Sequence, residues 1–130
     1  MTIAFDTSAL IELERNQPEL LKKLRELSET HNEIPCLPFI SYFEFIYGLK
    51  IKSEQNRLKS LSFINSFQLL SLGRRTAEIL SDLKHKYEDI GKSFILADLL
   101  IASQAIEHNL TLITKDKQFE GIEELKKIII

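Results

Sequence analysis

Five short segments of this chain, TIAF, IPCLPFIS, FQLLSLG, LTLIT and KKIII, are apolar in runs rather than at alternate positions. A strand of that kind hides both of its faces, and strands hidden on both faces belong to parallel sheets covered by helices. The longer stretches between them carry helical spacing. Alternating strands and helices imply a central, mainly parallel five-stranded sheet with right-handed crossovers and helices above and below it.

The connecting helices can be placed individually. TIAF runs straight into DTSALIELERN, a turn into a helix with Thr7 or Ser8 available as N-cap. Pro18 suits the first turn of PELLKKLRELSETHN, where Leu20, Leu21, Leu24 and Leu27 make one apolar stripe. Pro35 and Pro38 limit the ladder of the second strand, and helices over YFEFIYGLKIK and EQNRLKSLSFINSF follow. RRTAEILSDLKHKYEDIG is amphipathic, with Ala77, Leu80, Leu83, Lys84 and Tyr87 at helical spacing and Gly91 to end it. Asn109 is a left-handed cap before LTLIT, and KDKQF is a turn.

With 130 residues, 44% of them hydrophobic, the chain is long enough to fold as a single domain over 1–130 around a real core. Its start, MTIAFD, lacks a basic region followed by a long apolar segment, and no apolar run approaches a membrane span. A cytoplasmic protein with no membrane partner is the expectation. Cys36, the sole cysteine, excludes an intramolecular disulfide and sits among apolar residues as a small core hydrophobe. His31, His85 and His108 show no metal-ligand spacing, which argues against zinc. A net charge of −2 argues against non-specific coating of nucleic acid. It leaves room for a local basic groove, for which Lys50, Lys52, Arg74, Arg75, Lys115 and Lys117 stand near strand ends or after motif helices.

Four acids stand out against this background. In SFILADLLIAS, Asp98 is the one charged residue of a segment otherwise made for burial, with no basic residue between Ser93 and Glu107. A buried carboxylate is costly unless paired, so it needs a partner from elsewhere, an ion or a proton. Asp6 directly follows TIAF and Asp116 closely follows LTLIT, which puts both at the carboxyl edge of the sheet, where parallel α/β folds bind ligands. Either could instead cap a helix or start a turn. Glu44 is the only charged residue from Pro35 to Leu49, although Ser41-Tyr42-Phe43-Glu44 also fits a capping box. Gathered in one cleft, four carboxylates need raised pKa values or a divalent cation. Hard oxygen ligands without histidine or thiolate suit Mg²⁺ or Mn²⁺, and such sites activate water for in-line attack at phosphorus.

The segments FDTSALIEL, SYFEFIYGL and ILADLLIASQAIEHNLTLITKDKQFEGIEEL, in that order and spacing, resemble the PIN domain, in particular the VapC-like ribonuclease toxins of bacterial toxin–antitoxin pairs. The likeness spans nearly the whole chain. It implies a PIN-like three-layer α/β/α sandwich and a metal-dependent endoribonuclease using Mg²⁺ or Mn²⁺. It also implies that Asp6, Asp98 and Asp116 are catalytic metal ligands, with Glu44 a ligand directly or through water. Thr7, Ser8 and Thr114 match small hydroxyl positions that orient carboxylates or water. The family's partners are an RNA substrate, a cognate antitoxin whose tail enters the active-site groove, and a second copy of the chain.

Other readings are a housekeeping RNA-processing nuclease of the same fold, a receiver-like signalling domain and a PIN fold kept only for interaction. A receiver needs an acid beside Asp6 and an aspartate after the third strand, where Arg74 and Arg75 stand. A dehalogenase-type phosphatase needs an aspartate two residues after the first, where Ser8 stands.

Overall fold

Strand β1 (Thr2–Phe5) lies at the centre of a five-stranded, wholly parallel sheet of order β3-β2-β1-β4-β5, with β2 (Cys36–Leu37), β3 (Gln68–Leu69), β4 (Leu110–Thr114) and β5 (Lys126–Ile129). The coordinates are a computed structural model, described for residues 2–28 and 34–130. The chain adds β2 and β3 to one side of β1, then crosses over to add β4 and β5 on the other. The edge between β1 and β4 is therefore the topological switch point, where such sheets open a crevice beyond their carboxyl ends.

Both faces of the sheet are buried, as the apolar strands require. Ala4, Cys36 and Leu112 pack into one core with Leu83, Tyr87, Leu99 and Ala102, while their neighbours Phe5, Leu37 and Ile113 pack into the other with Leu10, Leu20, Phe45 and Ile64. This is the two-residue alternation of a strand expressed as two separate cores. Helices α5 (Arg74–Asp89) and α6 (Leu96–Glu107) cover the first face; α1 (Thr7–Glu14), α2 (Pro18–Ser28), α3 (Phe39–Gly48) and α4 (Glu54–Ile64) serve the second. The expected five strands, three layers and helix order are all present. Asn109 adopts the left-handed conformation foreseen for it, and Gly91 does so after α5. Cys36 is a buried thiol.

Several local expectations are corrected. Helix α1 is capped by Asp6, whose carboxylate accepts from Ala9 N, and not by Thr7 or Ser8. Helix α3 starts two residues before Ser41, so the capping box does not form. Pro38 takes the N-cap position instead, and Ser41 is buried with its hydroxyl unpartnered among the described residues. The buried face of α5 runs through Thr76, Ile79, Leu83 and Tyr87, leaving Ala77 exposed. Thr76 wins because its hydroxyl finds polar partners in Gly73 N and Glu107. The apolar run before Asp98 is not wholly hidden: Ile95 and Leu96, at the start of α6, are exposed. KDKQF forms a short 3₁₀ turn over Lys117–Gly121. The tail of the predicted second helix, 29–32, and His31 lie outside the described residues.

Candidate active site

Asp6 leaves the end of β1 with its backbone N–H donating to Ile113 O of β4, which sets it beside Thr114 at the switch point. Its side chain is buried and fully engaged. One oxygen accepts from Ser8 Oγ at 2.7 Å and from Ala9 N at 3.0 Å, and the other accepts from the Thr114 hydroxyl. Thr114 Oγ1 in turn accepts from Asp116 N at 2.9 Å, and Ser8 Oγ accepts from Lys115 N at 3.0 Å. These hydroxyls splice the end of β1 to the end of β4. The cap role and the cleft role of Asp6 are thus compatible: capping uses one oxygen and orients the carboxylate.

Asp116 begins the 3₁₀ turn and accepts from Gln118 N at 2.9 Å, the turn-forming role expected of it. Glu44 is exposed on α3, and its carboxylate accepts from Thr7 Oγ1 at 2.6 Å across to α1. Asp98 sits in the first turn of α6, whose next turns are anchored by the fully buried Ala102 and Ala105. Among the described residues it has no hydrogen-bond donor and no ion-pair partner.

The electrostatics show which acids share a space. Burial, followed by the charges of Asp116, Asp6 and Glu44, pushes the Asp98 carboxyl up to about 6. Burial also raises Asp6 above its ordinary value, outweighing hydrogen bonds from Thr114, Ala9 and Ser8, and Asp116 adds to the rise. Asp98 therefore feels the charges of the other three acids singled out in the sequence, and Asp6 feels that of Asp116. They interact through their fields rather than by touching; among the described residues, no three acidic, histidine or cysteine side chains already form a metal cluster. The donor set of carboxylate and hydroxyl oxygen suits a hard divalent cation, and a cation would relieve the repulsion that lifts Asp98.

The surrounding cations are less available than their positions suggested. Lys52 is held by Glu14 and Ser60, Lys115 by Glu12 and Arg75 by Glu78. Lys50, Arg74 and Lys117 are exposed and have no ion pair among the described residues. Gln104 escaped the sequence reading, although its signal resembled that of Asp98. It is a polar residue in an apolar helix, and it is fully buried between α6 and the start of α3.

Comparison with known proteins bears on the fold and the family. Ribonuclease VapC2 of Rickettsia felis is 29% identical over 128 residues, covering 96% of this chain and 95% of that protein. The crystal structure of VapBC2 from Rickettsia felis, bound to a promoter DNA fragment, superposes with a TM-score of 0.85 at 24% identity, covering 100% of this chain and 99% of that one. A toxin–antitoxin complex from Klebsiella pneumoniae gives a TM-score of 0.76 at 24% identity, covering 99% and 100%. The PIN domain profile matches residues 3–125, nearly the whole length, with Asp6, Glu44, Asp98 and Asp116 inside the match. A parallel sheet with acids gathered at its switch point and this match together establish that the chain belongs to the PIN domain family.

Proposed function

We propose that the chain is a metal-dependent endoribonuclease and the toxin of a toxin–antitoxin pair. The observation that carries the chemistry is Asp98, lifted to about 6 by burial and by three other acids, with no donor among the described residues to compensate it. Asp6, Asp98 and Asp116 are the residues that would hold Mg²⁺ or Mn²⁺, with Glu44 completing the set directly or through water. When bound there, such an ion supplies positive charge that activates water for in-line attack at phosphorus and offsets charge on the departing oxygen.

The chain's own residues prepare that site. Ser8 and Thr114 fix the carboxylate of Asp6 from two sides, so its orientation costs little entropy when a cation arrives. Thr7 holds Glu44 against α1. Asp98 is carried by a helix anchored in the core and keeps both oxygens for the ion. Arg74, Lys50 and Lys117 are the exposed cations offered to RNA phosphates.

Two partners accompany this reading. The toxin–antitoxin complex among the similar structures supports a cognate antitoxin, one that brings positive charge to the acidic cleft. Phe39, Phe43 and Tyr47 stand four residues apart on α3, all exposed, with the Phe43 and Tyr47 rings stacked 6.1 Å apart. This exposed strip is offered as docking surface for the antitoxin, and a homodimer is the second partnership of the proposal. A cytoplasmic site of action is part of the proposal, and no helix among the described residues is long and apolar enough to cross a membrane.

The test is cleavage of an RNA panel by the purified, partner-free chain with Mg²⁺ or Mn²⁺. Cleavage lost in Asp98→Asn with the circular dichroism spectrum unchanged is the expected result. A parent inactive with every divalent ion, or a mutant as active as the parent, overturns the proposal.

A further inference from the structure

Helix α3, which carries Glu44, starts without a cap of its own: Pro38 occupies the N-cap position and has no side chain to offer. The first N–H groups of a helix need acceptors, and a neighbouring Ser, Thr, Asp or Asn usually provides one. Here the acceptor comes from 65 residues away. Gln104 Oε1 on α6 takes the Phe39 N–H at 2.7 Å, and Gln104 is 0% exposed. Its Nε2 faces Leu70 O and Ser71 O, both at 3.4 Å, where β3 leads towards α5. An N–H on one side and two carbonyls on the other leave only one orientation for the amide.

The placement of this bond matters for the cleft. Gln104 lies six residues beyond Asp98 on α6, about 9 Å along the axis, and Phe39 lies five residues before Glu44 on α3, about 7.5 Å. One buried amide therefore joins the Asp98 helix to the Glu44 helix within two turns of both acids. These carboxylates repel, and no hydrogen bond joins them. We propose that Gln104 is a positioning residue that sets the separation of Glu44 and Asp98 and thereby the affinity of the cleft for a divalent cation. The inference rests on the metal-dependent reading above.

The test titrates Mn²⁺ into the metal-free protein by calorimetry, with the Mn²⁺-induced rise in melting temperature as a second readout. Gln104→Met keeps the volume and removes the bonds. Phe39→Pro removes the donor N–H together with the ring without breaking the helix, because proline is welcome at the first helical position and the extended Pro38 backbone tolerates a following proline. Phe39→Ala controls for the lost ring. Thr76→Val breaks the buried tie of α5 to Glu107 at the far end of α6 and controls for lost stability.

Each of Gln104→Met and Phe39→Pro should weaken Mn²⁺ binding about tenfold, with no further loss when combined. Phe39→Ala and Thr76→Val should bind as the parent does, even where Thr76→Val melts earlier. If Gln104→Met fails to fold, Phe39→Pro against Phe39→Ala decides alone. Mn²⁺ binding within twofold of the parent in Phe39→Pro, or an equal loss in Thr76→Val, overturns the positioning role while leaving the nuclease reading intact. A parent that binds no Mn²⁺ overturns both.

Discussion

Asp98 is a half-buried acid and Glu124 an exposed one at the rim of a buried tyrosine, and the fold treats them in opposite ways. Burial pushes each towards the neutral form, but at Glu124 the Tyr87 hydroxyl donates at 2.6 Å and Lys86 pairs at 3.0 Å, so its pKa ends below the ordinary value. At Asp98 no donor is supplied among the described residues, the charges of three further acids act on it, and its pKa rises to about 6. The corner around Glu124 joins α5 to the segment before β5 and is complete as it stands. The surroundings of Asp98 supply like charge and, among the described residues, no compensating donor. A fold that can satisfy a carboxylate in one place and leaves another unsatisfied makes the second a candidate functional site.

The widest expected separation between the two regions is in activity. Asp98→Asn should lower divalent-dependent RNA cleavage about a thousandfold, the rate equivalent of several kcal/mol of charge stabilisation, measured with Mn²⁺ on a labelled RNA. Glu124→Leu should leave the rate per folded molecule unchanged. In stability the order reverses. Glu124→Leu removes the acceptor of the buried Tyr87 O–H, which keeps only the bond it accepts from Glu123 N, and should cost about 1–2 kcal/mol in urea unfolding, whereas Asp98→Asn removes a repelled charge and should stabilise the metal-free protein at neutral pH. A destabilised Asp98→Asn would mean that the acid has a structural partner.

Thr7→Val tests the exposed arm of the site. It releases Glu44 and should cost about tenfold in cleavage with little change in stability, because the Thr7–Glu44 bond lies at the surface. The smallest effect is in pH dependence. Because folding raises the Asp98 pKa from 3.8 to about 6, the native state holds a proton there that the unfolded state has released. The metal-free protein should therefore lose stability as pH rises through that window. The loss is about 1 kcal/mol once discounted for the solvent that screens a half-buried group. Subtracting the Asp98→Asn curve isolates it, and saturating Mn²⁺ should remove it.

How much of this was legible depended on the range of the interactions involved. The five strands, their parallel pairing and the acids at their ends could be read because apolar runs and their punctuation are local properties. The four candidate acids were picked out by equally local signals, Asp98 and Glu44 as charges in apolar runs and Asp6 and Asp116 by their place after strands. The face of α5 could not be read, since Thr76 and Ala77 exchange places only when Glu107 arrives from another helix. The start of α3 could not be read either. Ser41 and Glu44 satisfied a local capping pattern, yet a glutamine 65 residues from Phe39 supplied the acceptor and let the helix begin two residues earlier.

What the sequence by itself determined is therefore the parallel α/β framework and the arrival of Asp6 and Asp116 at one edge of it, because strand burial and strand ends follow from hydrophobic pattern. The tertiary structure alone decided the state of each acid: Asp6 clasped by Ser8 and Thr114, Glu44 held by Thr7, Asp98 left without a donor. Those outcomes depend on hydrogen bonds and charges acting over a few ångströms between segments far apart in the chain. Such proximity exists only after β1 and β4 have paired and α6 has packed against them.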